Sequence, residues 1–589
     1  MLIISQLRVP CGSGTGMLRK KAAKALHRKD TDFALAITRH SIDARHKPEL
    51  LDVYSVSIYL PGGREEEERL AKKLHDRNIS YKEEVTWTLH RAGSGGEILK
   101  NRPVVVGAGP AGLFAALVLA MAGLRPILIE RGKPVEERTK DVEHFWKSGE
   151  LNENSNIQFG EGGAGTYSDG KLTTNAKDKE GRTQFILNTF IETGADPSIA
   201  YEFLPHIGTD VLRTCVTSIR NRILSLGGTV LFETLVTGFE NKNGKLTGVR
   251  ILDEAAGKEQ VLPCEAAVLA PGHSARDLVR TLYADGIPME PKAFAVGLRV
   301  SHPQTLVNEN QYGIPDEKTL QSLHLPAVSY KLTARAASGR GVYSFCMCPG
   351  GYIVNASSEK GRLAVNGMSD FARDSARANS AIVVTVGPKE FGGSGVLDGM
   401  AFQEALEEKA FSLGEGRIPV EWYPDLKRGV ETGEVPGDLH QVQDSEALCI
   451  RGEAEIADLA SLLPKSLMKD FVEGMEHFDR VIPGFAGDAC FAAGIESRTS
   501  SPVRILRNDQ GESTGLSGLY PTGEGAGFAG GIMSAALDGM RQAEKIAAAY
   551  LPDPSWRVKG KSIERENRKT GNETVSESGK PGIPAEASG

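Results

Sequence analysis

Over the first 95 residues, apolar and polar positions alternate with two different periods. The segments LIISQLRV (from Leu2), DFALAITRHSID (from Asp32), LLDVYSVSIYL (from Leu50) and YKEEVTWTLH (from Tyr81) repeat near two and predict strands. Met17 to His27 and Arg64 to Asp76 have the spacing of amphipathic helices. The order β-α-β-β-α-β predicts a ferredoxin-like α+β module, split βαβ in type, over residues 1–95. AGSGG, Ala92 to Gly96, reads as a linker out of it.

From Val104 the pattern changes to VVVGAGPAGLFAALVLAMAGLRPILIER, which predicts strand, glycine turn, helix and second strand. Gly107 allows the tight turn, Gly109 lets backbone approach a pyrophosphate, and Gly112 lets helix and strand pack together. The helix starting near Ala111 aims unpaired N–H groups and its positive dipole end at that pyrophosphate. Glu130 follows about 20 residues on, where a carboxylate accepts from ribose hydroxyls. Val104 to Leu124 is uncharged and long enough to span a bilayer. Gly107, Gly109, Pro110 and Gly112 in one turn, with Arg125 just beyond, make a membrane helix the poorer reading. The unit binds a dinucleotide.

Further along, QFGEGGAGTYSDGKL (Gln158 to Leu172) is too rich in glycine for a regular element and predicts a loop whose backbone approaches a ligand. Asp210 to Leu226 has helical spacing, GGTVLFETLVTGFE and KLTGVRIL read as strands, and AAVLAPGHSARDL runs from strand through Pro-Gly into helix. Positions 290–489 mix strands with helices such as Met400 to Leu413 and contain no nucleotide motif, which predicts a substrate or cap domain. Residues 552–589 are polar and nearly free of large apolar groups, so a disordered tail is expected.

Near the end, GLYPTGEGAGFAGGIMSAALDGMRQA (Gly518 to Ala543) predicts a strand to Tyr520, a glycine turn carrying Glu524, and a helix from about Gly531. This is similar to the closing motif of flavin-binding chains. The helix start would face the flavin pyrimidine, stabilising negative charge on the reduced ring, and Glu524 would bind a ribityl hydroxyl.

Composition narrows the field. The 589 residues, 40% of them hydrophobic, suffice for several domains, and a net charge of −7 argues against whole-surface attraction to nucleic acid or anionic lipid. The seven cysteines are scattered and odd in number, and no signal-like segment opens the chain, so a reducing cytoplasm without structural disulfides is expected.

Six motifs together carry a resemblance: GAGPAG with ER, FGEGGAGTYSDGKL, LAPGHSARD, SFCMCPGGYIVNASSE, GIESRTSSPVRI and YPTGEGAGFAGGI. From about Val104 to Ala548 the chain resembles the two-dinucleotide-fold, glutathione-reductase-like flavoproteins, and within them the uncharacterised bacterial FAD-dependent dehydrogenase family. The resemblance implies a Rossmann-like FAD-binding domain in two parts (96–289 and 490–551), with an inserted α+β substrate domain at 290–489. It implies an extended FAD with Gly107, Gly109, Pro110, Ala111 and Gly112 at the pyrophosphate, and Glu130 and Arg131 at the adenosine ribose with Arg138 nearby. Val236 would meet adenine through its backbone. Gly163 and Gly165 would flank the flavin, Pro271 and Gly272 the return crossover, Gly523 and Glu524 the ribityl chain, and Gly531 and Ile532 the flavin end. GEGAG replaces the GD followed by Ala-Ala-His of aromatic hydroxylases, which weakens a monooxygenase reading. No second strand-framed GxGxxG follows Ala176, which disfavours a dedicated NAD(P) domain.

The expected activity is hydride transfer between flavin and a small organic substrate, as a dehydrogenase or reductase; the electron donor stays open between NAD(P)H and a protein. Lys171 and Arg498 are the catalytic candidates, Lys171 from its loop and Arg498 as a bidentate clamp on a substrate carboxylate, with His273 and Asp169 behind them. Each of the two reads equally well as a solvated lysine or a structural arginine. Cys346 and Cys348 read as two buried thiols of a strand rather than a redox pair, because the disulfide oxidoreductases of this superfamily place a CxxxxC soon after the first ribose acid, where this chain has no cysteine. No metal site is expected, because ligand-spaced Cys/His pairs are missing. His302 reads as a strand-end residue. The alternative is an RNA-associated flavoprotein or RNA-binding module using the basic N-terminal residues (Arg8, Arg19, Lys20, Lys21, Lys24, Arg28 among them), disfavoured because the strands lack an RNP-like aromatic pair. The oligomeric state stays open.

Overall fold

The computed structural model describes residues 1–433 and 446–556. At the N-terminus, Leu2–Pro10 lies between Leu51–Tyr59 and Ile79–Tyr81, with Ala34–Asp43 outside Leu51–Tyr59 and every pair antiparallel. The helices Gly14–Leu26 and Gly63–Leu74 complete the order. A bulge explains the broken alternation of LIISQLRV. Gln6 takes a left-handed φ of 58°, the register shifts between Ile4 and Leu7, and the inward residues change from Leu2 and Ile4 to Leu7 and Val9. Leu18, Ala22 and Leu26 of the first helix pack on that inward face.

The last expected strand of this region is mostly not one. Only Ile79–Tyr81 pairs, and the remainder of YKEEVTWTLH runs as an irregular strap. Its alternation serves side-chain docking: the Trp87 indole donates to Glu544 at 2.7 Å and its ring lies 4.3 Å from that of Phe185. Farther on, the Ala92 N–H donates to the Ala547 carbonyl. The N-terminal cations are largely spent internally. Arg19 donates to the carbonyls of Asp30 and Phe33, Arg28 pairs with Glu66, and Arg8 and Arg45 share Asp43. Nothing in that arrangement favours an RNA surface.

A second layer is an all-parallel sheet ordered Leu519–Pro521, Ala267–Leu269, Val104–Val106, Ile127–Ile129, Thr229–Leu231. Its central strands are buried on both faces, as continuous apolar runs require. Helices Pro110–Met121 and Ile532–Ala549 pack together on it, although more than 400 residues separate them in sequence. Among the described residues no helix is long and apolar enough to cross a membrane; the helix within Val104 to Leu124 has 12 residues.

The third layer is a seven-stranded sheet, ordered Thr333–Arg335, Gly341–Cys348, Arg377–Val386, Phe294–Pro303, Phe491–Glu496, Ile418–Trp422, Ala454–Ile456. Val296, Leu298, Val300, Ile382 and Val384 bury against the helices that cover it, Lys465–Asp479 among them. Phe491–Glu496, grouped by sequence with the second nucleotide segment, is instead a strand of this sheet, because its apolar residues pair with Phe294–Pro303. The expected tail falls mainly on residues 557–589, outside the described residues.

Candidate active site

A cleft runs between the carboxyl ends of the parallel strands and the seven-stranded sheet. Ligands of open α/β sheets bind at such strand ends. Gly107 and Glu524, 417 positions apart, both line it.

The three glycines of the first turn do different work. A Cβ at Gly107 would fall 2.2 Å from the Ala270 carbonyl oxygen, and one at Gly112 would fall 1.8 Å from the Gly107 oxygen. These two make the packing possible. A Cβ at Gly109 would meet nothing nearer than the Gly163 Cα at 3.9 Å and would project into the cleft. The helix behind, with Pro110 at its start and Ala111 beside the cleft, has no side-chain cap, so its first N–H groups stay available to an anion.

The Glu130 carboxylate is buried and accepts from the N–H groups of Ala108, Gly132 and Gly160 at 2.8, 2.9 and 2.9 Å. A carboxylate has about four acceptor positions, so part of its capacity still faces the cleft it lines. Arg131 lies 4.2 Å over the Phe159 ring and pairs with Asp277 at 2.9 Å, and Val236 forms the facing wall.

Arg138 differs from its expected place. Its fully buried guanidinium stands one layer behind the cleft and donates to the carbonyls of Asn156, Ile157, Glu161 and Gly163 at 2.8, 2.7, 2.7 and 3.0 Å. It is the frame of the glycine-rich loop, whose Gly163 and Gly165 reach the cleft. Gly112 and Gly523 also stand behind the wall; the Gly523 N–H donates to Asp538 at 2.8 Å, which in turn pairs with Arg507. Pro271, Gly272, Gly531 and Ile532 line the cleft. Burial pushes the Glu524 carboxyl up to about 7, against the opposing charge of Lys292 and a Gly531 N–H.

The catalytic candidates separate. Arg498 is locked: it grips Glu407 at 2.9 and 2.8 Å and donates to Ser274 and Ser358, while Arg276 grips the same carboxylate at 2.7 and 2.8 Å. Burial raises and the two guanidiniums lower the Glu407 carboxyl, leaving it well below the usual range. Arg498 lines the cleft, yet its fork is filled by Glu407, 91 positions away, rather than a substrate carboxylate, and the layers are tied where Arg276 grips the same Glu407 and Arg498 donates to Ser274. Lys171 lines the cleft with a buried Nζ that makes no hydrogen bond and lies 3.4 Å from Asp169. Asp169 itself is taken by Arg373 at 2.8 and 2.6 Å. His273 is pushed down to about 3, chiefly by burial and then by Arg498 and Arg276, so it is neutral.

Phe345, Cys346 and Glu496 of the seven-stranded sheet, with Asn366 from Val365–Met368 of a neighbouring three-stranded sheet, close the cleft, and none of them is a site candidate from sequence. Cys346 departs from its strand-interior reading: φ is 46°, the register shifts between Phe345 and Cys348, and the residue is turned onto the wall.

An uncapped helix start above a glycine cradle, continuous with a second glycine turn, fits an extended dinucleotide, and this defines a dinucleotide-binding flavoprotein. Residues 102–155 match the FAD binding domain model, 293–499 the model of the FAD-dependent protein, C-terminal domain-like family, and 1–59 a domain of unknown function. An uncharacterized protein of Clostridium beijerinckii is 45% identical over 551 residues, covering 93% of this chain and 98% of its own. The chain belongs to the family of that relative, a family of FAD-dependent proteins, and FAD is its cofactor. Among solved structures, a geranylgeranyl bacteriochlorophyll reductase-like protein of Thermoplasma acidophilum is 12% identical, covering 81% of this chain and 84% of its own with a TM-score of 0.31. The L-amino acid deaminase of Proteus myxofaciens is 13% identical, covering 81% and 96%, with a TM-score of 0.30.

Proposed function

We propose that the protein is an FAD-dependent oxidoreductase, a dehydrogenase or reductase acting on a small organic substrate. One observation carries the reading: a single cleft joins both glycine turns and continues into a chamber walled by Phe345, Cys346, Asn366 and Glu496. FAD supplies the hydride chemistry, so the chain has to bind, orient and exclude water. The N–H groups at Ala111 and the bare Cα of Gly109 receive the diphosphate. Glu130 takes the adenosine ribose, the backbone at Val236 the adenine, Glu524 the ribityl chain, and the helix start at Ile532 the flavin pyrimidine. Lys171 is the cation on the chamber wall and holds a substrate anion or a proton.

In this reading the N-terminal module is ferredoxin-like, supported by its sheet order, and docks a protein donor or a second subunit. The third layer is the inserted substrate domain, and the enzyme works in the cytoplasm. The test is the visible spectrum of the purified chain, before and after added FAD, followed by anaerobic bleaching with NADH, NADPH and small hydroxy or enoyl acids. A yellow protein bleached by one of these supports the reading. A colourless chain that takes up no FAD overturns it.

A further inference from the structure

Two thiols sit where the third layer meets the cleft. Cys346 lines the cleft and Cys348, two residues on, lies buried behind it; residues two apart in an extended chain stand about 6.6 Å from each other. That is the upper end of the roughly 4.4–6.8 Å Cα separation a disulfide spans. The left-handed turn at Cys346 and the register shift beside it shorten the step. The Cys348 Sγ already folds back to within 3.3 Å of the Cys346 carbonyl oxygen, which also accepts from Arg299 at 3.2 Å.

The surroundings lower one thiol and raise the other. A hydrogen bond from Cys348, then the charges of Arg299 and Lys171 acting against burial, lower the Cys346 thiol, while the Cys348 thiol is pushed up. Cys346 is the member on the cleft wall, and Cys348 lies buried behind it. The Lys171 Nζ, buried without a hydrogen bond, lines the same chamber.

We propose that Cys346 and Cys348 are a redox-active dithiol that exchanges two electrons with the FAD in the same cleft. The exchange rests on the cofactor reading above. Starting from the dithiol, two S–H bonds break and one S–S bond forms, and the two electrons and two protons released are those that convert FAD to FADH2. The reverse direction reopens the disulfide at the expense of FADH2. The protein then stores four electrons per active site instead of two.

The test is an anaerobic dithionite titration of the full chain loaded with FAD and oxidised in air, counting electrons taken up to the end point. Wild type is expected to take four per flavin, and Cys346→Ser and Cys348→Ser two each, with Cys215→Ser as a control that still takes four. Thiol trapping read by mass spectrometry covers the case of a variant that does not fold. Cys346 and Cys348 of the wild type should be blocked in the air-oxidised protein and alkylated after reduction. A wild type that bleaches with two electrons, or whose air-oxidised form is alkylated at both positions, overturns the dithiol and leaves the cofactor reading standing. A chain that takes up no FAD overturns both.

Discussion

A Cβ placed on Gly539 would lie 2.0 Å from the carbonyl oxygen of Ala111. The last long helix of the chain therefore rests directly on the backbone of the first turn of the nucleotide-binding helix. That contact joins the two glycine turns into one cleft.

Gly539→Val is expected to push the two helices apart. Overpacking of this kind costs about 1–3 kcal/mol, so the variant should unfold at lower temperature than wild type. Its FAD should also dissociate more readily, because both cradles move relative to each other. Calorimetry with and without added FAD checks this; an unchanged melting temperature contradicts it.

Gly109 and Gly112 should respond oppositely to alanine. Gly109 has φ −74°, which any residue adopts, and open space ahead of it. Gly109→Ala is expected to keep the wild-type circular dichroism and melting curve of the FAD-free chain while weakening FAD uptake. At Gly112 the new methyl meets the Gly107 carbonyl at 1.8 Å, so Gly112→Ala should lose stability even without cofactor.

Arg138→Met removes the donor for a set of inward-facing carbonyls. Each buried acceptor left unpaired costs about 1–3 kcal/mol, and the loop from Asn156 to Gly163 loses its frame. Partial proteolysis should cut within that loop in the variant and not in wild type. A variant as resistant as wild type would show that the loop is held some other way.

Glu421 makes stability depend on pH. Its carboxyl accepts from the Leu459 N–H at 2.8 Å, its other oxygen has no hydrogen-bond partner, and burial followed by the charges of Asp458 and Asp425 pushes it up to about 8 from 4.5. Between those values the unfolded chain has lost a proton that the folded protein retains, so stability falls as pH rises from about 4.5 through about 8. Glu421→Gln abolishes the titration and keeps an acceptor for Leu459. Its melting temperature should exceed that of wild type most at pH 9, and the excess should shrink toward pH 5. A pH-independent difference would remove this carboxyl as the cause.

Sequence alone determined the local devices. The tight turn at Gly107, the bare approach at Gly109 and the carboxylate at Glu130 could be read within one short segment, because each answers a backbone demand of its immediate neighbours. The alternation of the N-terminal strands was readable for the same reason, and it misled at YKEEVTWTLH, where a docked Trp87 mimics a strand face. Tertiary structure decided what each charge and each thiol meets. Arg498 changed from a substrate clamp to a buried structural cation because Glu407, on a distant helix, fills its fork. Arg138 moved behind the wall because the loop folds its carbonyls around it, and Cys346 came onto the cleft because one left-handed residue turns it there. Spacing in a chain limits which backbone shapes are affordable, whereas the partner of a buried ion is set only when remote segments close around it.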